Sequence, residues 1–323
     1  MGDITVVALT IGEPYLERAL ASAQRQTLPP AAMVVIRGMS PFHRALNAGA
    51  AQVQTPFFVQ LDADVILDDS CLAELRALMG DDVSIVSGLL RDPIVGRTIG
   101  VRLYRTACFA DVQIRDSISP DIDFTNDTAR LGWLRRSALH WRGPERADWH
   151  TFGDHRPDYT PLYTYSKFRL EGVRSRYRRR EGRAHLMLRR LCPSAHPAAN
   201  LALIATAHGF FAREQGDLLA PYRPTADFEA LQDFLAAADG APGPTAPAES
   251  DDPRQRFRDA YAYGVACRQQ RAPAAFVTQL ERLKRGADRH DWLALVGLCH
   301  GVFQDADSAE SARAAYAALA EIL

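Results

Sequence analysis

Two aspartates at the end of an apolar run are the sharpest chemical feature of this sequence. Phe57 to Leu61 (FFVQL) leads directly into Asp62-Ala63-Asp64. Such a run reads as a buried strand, and its end falls at the carboxyl edge of a sheet, where open α/β folds bind ligands. Side chains alternate along an extended chain, so Asp62 and Asp64 share one face. Two carboxylates so placed repel, and a cation or a hydrogen-bonding ligand relieves them. Hard oxygen ligands beside a phosphate suit Mg²⁺ or Mn²⁺. The plainer alternative has one aspartate capping the next turn and the other in water.

The elements around this pair alternate strand and helix. Ile4 to Leu9 (ITVVAL) is continuously apolar and β-branched, as a buried parallel strand should be. Glu13-Pro14 opens a helix whose apolar positions Leu16, Ala19, Leu20 and Ala23 keep helical spacing, and Leu28-Pro29-Pro30 ends it. Met33 to Ile36 is a second strand. Pro41 opens a helix to about Gln54, which carries His43, Arg44 and Asn47, and Thr55-Pro56 breaks it. After the Phe57–Leu61 strand, Asp68-Asp69-Ser70 caps a helix to about Met79, and Val83 to Ser87 is a further strand. Val101 to Phe109 reads as an antiparallel strand or hairpin. This rhythm predicts an α/β domain with a mainly parallel sheet.

Three segments in order carry a more specific signal. They are Tyr15-Leu16-Glu17-Arg18-Ala19-Leu20-Ala21-Ser22, Ala45-Leu46-Asn47-Ala48-Gly49, and Phe57 to Asp64. Together they resemble the GT-A glycosyltransferases of family 2, which carry a YLxxALxS helix, an AxNxG helix and an apolar strand ending in DAD. The resemblance covers residues 4 to 80. It implies a Rossmann-like GT-A domain, placed here at residues 1–160, that binds a nucleotide-sugar donor with Mn²⁺ or Mg²⁺. By that resemblance Asp64 binds the ion that bridges the donor diphosphate, and Asp62 contacts the ribose or the metal. Arg44, near the amino end of its helix, would face phosphate together with the helix dipole, or lie on the surface. Asn47 would line the donor pocket, or bond a neighbouring loop.

The sequence departs from the family where the base is recognised. The first strand runs into Thr10-Ile11-Gly12-Glu13, with no aromatic before Tyr15 to pack on a base. The second strand ends Ile36-Arg37-Gly38 in place of an acidic pair. Thr10, Glu13 and Arg37 are therefore the candidates at that end of the donor, and uridine specificity does not carry over.

An inverting sugar transfer needs a carboxylate that takes the acceptor hydroxyl's proton. The family supplies it from a pattern EDxDLxxRxxxxGY. Pro120-Asp121-Ile122-Asp123-Phe124 through Leu131-Gly132-Trp133 keeps that spacing, with Pro120 in place of Glu and Asp127 in place of Arg. The resemblance makes Asp121 the catalytic base and Asp123 the following acid, with Asp123 and Asp127 as alternative bases. A helix N-terminus with acidic first-turn residues is the plainer reading. In many relatives a downstream histidine completes the metal site. His155 is the choice here, with His150 second, and an imidazole ligand favours Mn²⁺. Asp154, Asp158 and Tyr159 would line the acceptor side.

Lys167 to Arg190 holds ten basic and two acidic residues, in a chain of net charge −1. It reads as a solvated helix face, a holder of a polyanionic or diphosphate-linked acceptor, or a surface resting on anionic membrane. The acceptor would be a glycan, a lipid-linked saccharide or a protein. Nucleic acid is not expected, because no recognition motif accompanies the charge. Residues 161–238 read as a helical, basic extension, 239–253 as a Pro- and Gly-rich linker, and 254–323 as an Ala-rich, all-α module without a convincing internal period. The chain has 323 residues, 47% apolar and 24% charged, which excludes a disordered chain. No leader pattern, membrane span or cysteine framework is read, so a reduced, cytoplasmic protein is expected, with peripheral membrane contact as an option. Two rivals stand beside the transferase. One is a silent GT-A scaffold that docks a partner through its helical tail. The other is a nucleotidyltransferase, which the poor phosphate loop at Thr10–Glu13 disfavours.

Overall fold

In the computed structural model the described residues are 2–137, 150–177, 183–211, 224–237, 243–247, 250–286, 289–304 and 309–320. They form two compact units, Met1–Asp158 and Tyr159–Leu323.

The first unit is α/β. Its strands are β1 (Ile4–Thr10), β2 (Ala32–Arg37), β3 (Phe57–Asp62), β4 (Val65–Leu67), β5 (Val83–Asp92), β6 (Gly96–Arg105), β7 (Leu134–Ser137) and β8 (Gly153–His155). Its helices are α1 (Leu16–Gln24), α2 (Phe42–Ala50), α3 (Cys71–Ala77), α4 (Cys108–Asp111) and α5 (Pro120–Arg130). One sheet runs in the order β2-β1-β3-β6-β5-β8-β4, with β7 beside β5. β1 pairs in parallel with both β2 and β3, β5 in parallel with β7 and β8, and the β3–β6, β6–β5 and β4–β8 ladders are antiparallel.

The strand pattern explains the layers. Every residue of β1 is buried, which a strand covered on both faces requires. Val6 and Ala8 join Val59 and Leu61 in a core that α1 and α3 complete with Ala19, Ala23, Leu72 and Leu75. Val7 and Leu9 point the other way, with Phe58 and Tyr104, into a core that α2 and α5 complete with Leu46 and Phe124. The expected helices and first strands are present with shifted ends. α2 stops at Ala50, short of Gln54, and β5 runs on to Asp92. Two short strands, β4 and β8, were not expected. They pair with each other immediately after Asp64 and up to His155.

The second unit is helical: α6 (Pro161–Tyr177), α7 (Arg183–Leu191), α8 (Ala199–Phe211), α9 (Ala226–Leu235), α10 (Pro253–Gln269), α11 (Pro273–Lys284), α12 (Arg289–Gly301) and α13 (Ala309–Ala320). α6 packs on α8, α10 on α12, and α8 on α12. The two helical stretches read on either side of 239–253 therefore share one unit. Within that linker, residues 243–247 carry no helix or strand, and 239–242 and 248–249 lie outside the described residues. So do 178–182 of the basic run. Where it is described, Arg174 pairs with Glu171 at 2.5 Å, and Lys167 lies 5.4 Å from the ring centres of Tyr159 and Tyr163. Among the described residues no helix is long and apolar enough to cross a membrane. All five cysteines are buried and free.

Gly153 is the tightest point of the β4–β8 pair. A Cβ there would lie 2.3 Å from the Ile66 carbonyl oxygen and 3.0 Å from the Leu67 Cα, both backbone atoms with little room to give. Gly153→Ala should lower unfolding free energy by about 1–3 kcal/mol, the usual cost of overpacking. Urea denaturation measures this, and a change within about 0.5 kcal/mol, as at an ordinary surface site, would contradict it.

Candidate functional site

The carboxyl end of β3 is the centre of the site. Parallel pairing sets Asp62 opposite Leu9 of β1, and the Ala63 amide donates to the Leu9 carbonyl at 3.1 Å. Gln60 lies buried two residues earlier. Its Nε2 donates to Asp62 Oδ1 at 2.9 Å, and its Oε1 accepts from the Tyr104 hydroxyl at 3.3 Å. Burial and then the neighbouring Asp64 carboxylate push the Asp62 carboxyl up to about 6, against the Gln60 hydrogen bond and the charges of Arg102 and His155.

Asp64 meets His155 through the short strands. The β4–β8 register sets Val65 opposite His155, and the Arg156 amide donates to the Asp64 carbonyl at 2.7 Å. His155 Nε2 then lies 3.3 Å from Asp64 Oδ2, and its Nδ1 lies 2.6 Å from Asp92 Oδ2. The side chains of Asp64 and His155 are 14% and 12% exposed, and that of Asp92 is 1% exposed. Asp64 and His155 therefore meet where both side chains are largely buried.

Asp121 stands in the first turn of α5, where Pro120 is tolerated and a carboxylate is favoured by the helix dipole. Arg102 Nη2 reaches Asp121 Oδ2 at 2.6 Å. Antiparallel pairing sets Arg102 opposite Gln60. The guanidinium thus stands between the predicted base and the Asp62 end of β3, and both carboxylates act on it: burial disfavours its charge, but Asp121, Tyr104 and Asp62 hold its pKa up. Asp123 is half-buried in the same turn. Asp127 is held by Arg115 and Arg130, each at 2.7 Å.

The other predicted residues have these places. Thr10 Oγ1 and the Ile11 amide both donate to Glu13 Oε2, at 2.6 and 2.9 Å, so this pair closes the turn after β1. Gly12 sits in that turn at φ 117°, where a glycine is favoured. Arg37, at the end of β2 opposite Thr10, and Arg44, on α2, are exposed. Asn47 donates to the Ile114 carbonyl at 2.8 Å and accepts from its amide at 3.0 Å, so its whole amide pins that loop. His150 is not beside Asp64: its Nε2 lies 2.7 Å from Glu74 Oε2 of α3. Asp154 is held by Arg91 at 2.5 Å and Arg156 at 2.7 Å. Trp149 lies outside the described residues.

Two residues of this site escaped the sequence reading, Asp92 and Arg102. Neither sits in a recognisable motif. Arg102 was findable only as the polar partner of Gln60 once the β3–β6 register was known, and Asp92 only as the carboxylate that ends β5.

No family model matches the chain, and no curated protein sequence matches it. Solved structures similar to it include a mannosyltransferase, PcManGT from Pyrobaculum calidifontis, in complex with GDP-Man and Mn²⁺. It is 14% identical, covers 73% of this chain and 79% of its own, and has a TM-score of 0.41. S. aureus TarS 1–349 in complex with UDP is 11% identical, over 93% of this chain and 89% of its own, at 0.38. A CMP:2-keto-3-deoxy-manno-octonic acid synthetase complexed with CTP is 10% identical, over 42% and 89%, at 0.29. Scores at this level leave the function to the chain's own residues.

Among the described residues no group of three or more His, Cys, Asp or Glu side chains is arranged to enclose a metal. A carboxylate and an imidazole nitrogen do face each other at Asp64 and His155. Ions of the Mg²⁺ type are commonly held by one or two carboxylates together with substrate phosphates and water.

The raised Asp62 pKa has a signed consequence. In metal-free protein the folded state keeps this proton to about pH 6, while the unfolded chain loses it near 3.8. The folded state binds more protons in that window, so stability falls as pH rises from about 4 to about 6 and stays lower above it. Asp62 keeps partial solvent contact, and the loss should be on the order of 1–3 kcal/mol. Denaturant melts of the native chain and Asp62→Asn across pH 4–7 should diverge in that window, with the variant the more stable above it. Parallel curves would contradict the assignment.

Proposed function

We propose that this chain is a metal-dependent, inverting glycosyltransferase with a GT-A-type domain. It would move a sugar from a nucleotide-sugar donor to a hydroxyl of a glycan, lipid-linked or protein acceptor. The observation that carries this reading is the meeting of Asp64 and His155 at the carboxyl edge of β3, beside Asp62, with Asp121 tied through Arg102 to the same edge.

Each residue has a task in this reading. Asp64 Oδ2 and His155 Nε2 hold Mn²⁺, or Mg²⁺, and Asp62 supports the ion or takes the ribose. The bound ion would offset the charge that develops on the leaving nucleoside diphosphate. Asp121 takes the acceptor proton. Its ion pair with Arg102 holds it in place, and an ionised carboxylate is both a base and a stabiliser of oxocarbenium character. Asp123 stands in the same helical turn as the alternative base. Thr10 and Glu13 shape the turn under the donor, Asn47 fixes the Ile114 loop, and Arg37 and Arg44 offer exposed guanidiniums for the base and phosphates.

Calorimetric titration with UDP, GDP, CDP and dTDP, each with and without Mn²⁺, tests the reading. One of the four should bind in a Mn²⁺-dependent way, and Asp64→Asn should abolish that binding. Asp121→Asn should keep it and lower transfer by about 10²-fold or more. No binding of any of the four would overturn the transferase reading in favour of a silent scaffold.

A further inference from the structure

We propose that Asp92 is the positioning residue of the metal site, setting the tautomer of His155; this rests on the metal reading of Asp64 and His155. Asp92 ends β5 and is 5% exposed. Its Oδ1 accepts from the amides of Ile94 and Val95, at 2.8 and 2.9 Å, and closes the β5–β6 turn. Its Oδ2 meets His155 Nδ1 at 2.6 Å. A carboxylate accepts only, so the imidazole proton belongs on Nδ1. That leaves Nε2, 3.3 Å from Asp64 Oδ2, as the nitrogen that gives up its proton to take a metal. A cation taken up between the two would be ligated by both. A histidine ligand oriented by a carboxylate on its other nitrogen is the usual outer-shell arrangement of metal sites.

Asp92→Asn separates turn from tautomer. The amide oxygen can still accept from Ile94 and Val95. The amide nitrogen donates to His155 Nδ1, which moves the ring proton to Nε2 and lets it bond Asp64 directly. Nitrogen-15 NMR of metal-free protein should show His155 protonated on Nδ1 in the native chain and on Nε2 in the variant. Manganese EPR should show Mn²⁺ affinity falling 10- to 100-fold in the variant. A native His155 that lacks the Nδ1 proton, or unchanged Mn²⁺ affinity in the variant, overturns the proposal. A native chain with the Nδ1 proton but no Mn²⁺ affinity upholds the positioning role and overturns the metal reading alone.

A different observation carries a second inference: the helical unit is a tandem duplication. Residues 161–211 and 253–303 correspond without gaps at a spacing of 92, with Gly172/Gly264, Val173/Val265, Leu188/Leu280, Leu191/Leu283, His208/His300 and Gly209/Gly301 as matched pairs. The helices match in order, α6, α7 and α8 with α10, α11 and α12. The close glycine contacts of the two copies fall on corresponding backbone atoms. A Cβ on Gly209 would lie 2.1 Å from the Arg169 carbonyl oxygen, and one on Gly301 would lie 2.2 Å from that of Tyr261, its counterpart. A Cβ on Gly172 would meet the Thr206 oxygen at 2.2 Å, and one on Gly264 that of Leu298, again its counterpart, at 2.4 Å.

The two copies meet as the halves of a symmetric dimer do. His208 stacks on Phe303 at 3.9 Å, and His300 stacks on Phe211 at 3.8 Å. Phe211 and Phe303 are themselves a matched pair, so each copy gives the other the same contact, the mark of an isologous interface. One difference follows from the alignment. Tyr165 bonds His208 Nδ1 at 2.6 Å, while its counterpart is Phe257, and the buried His300 Nδ1 has no hydrogen-bond partner among the described residues. Phe211→Leu and Phe303→Leu in the full chain should lower the melting temperature by amounts within a factor of two of each other. Phe257→Tyr, which gives the second copy the first copy's hydroxyl, should be tolerated without a drop. A silent change at one phenylalanine with a large one at the other, or a drop of many degrees in Phe257→Tyr, would overturn the duplication as the basis of the packing.

Discussion

Surplus negative charge at one edge of the sheet is the constraint around which the α/β unit is organised. Asp62, Asp64, Asp92 and Asp121 are tied together there by one guanidinium, Arg102, and one imidazole, His155. Unlike charges close together are stabilising only when enough of them are present, and like charges held apart from water are costly. Burial, and then the Asp64 carboxylate, push the Asp62 pKa up. In the proposed function a cation would offset that charge.

The sheet supplies the rigidity the cluster needs. β1 is buried on both faces and fixes β3 by parallel register, which sets Asp62 beside Leu9. β6 runs antiparallel to β3 and brings Arg102 across from Gln60. The β5–β6 turn, β4 and β8 then place three further groups, Asp92, Asp64 and His155, on neighbouring backbones. Sites built on strands hold their geometry better than sites built on loops. The apolar cores on the two faces of the sheet keep these registers, because a slip of one residue would move Val6 and Val7 to the wrong layers.

The sequence showed the local part of this arrangement. Asp62 and Asp64 were readable because an apolar strand of five residues ended in them, and α1, α2 and α3 because their apolar spacing and breakers were regular. His155 and Asp121 were reached by resemblance; β8 carries the first and α5 the second. Asn47 was open between donor pocket and loop, and its amide is occupied by the Ile114 backbone. What was not legible depends on long-range register. β4 and β8 are three residues each and have no periodic signal, so the partner of Asp64 could not be distinguished from His150, which belongs to Glu74. Asp92 and Arg102 matter only because of strands that are neighbours in space. The 92-residue spacing in the helical unit was missed because identities are sparse and fall on glycine, histidine and buried apolar positions; the helix crossings make them visible.

The central claim is that a divalent cation sits between Asp64 and His155. Anomalous diffraction at the manganese edge, from crystals grown with Mn²⁺ and a nucleoside diphosphate, tests this most directly. The account predicts one strong peak within ligand distance of Asp64 Oδ2 and His155 Nε2, with diphosphate oxygens on its open side. A peak elsewhere, or density for the nucleotide with no metal at this pair, would contradict it.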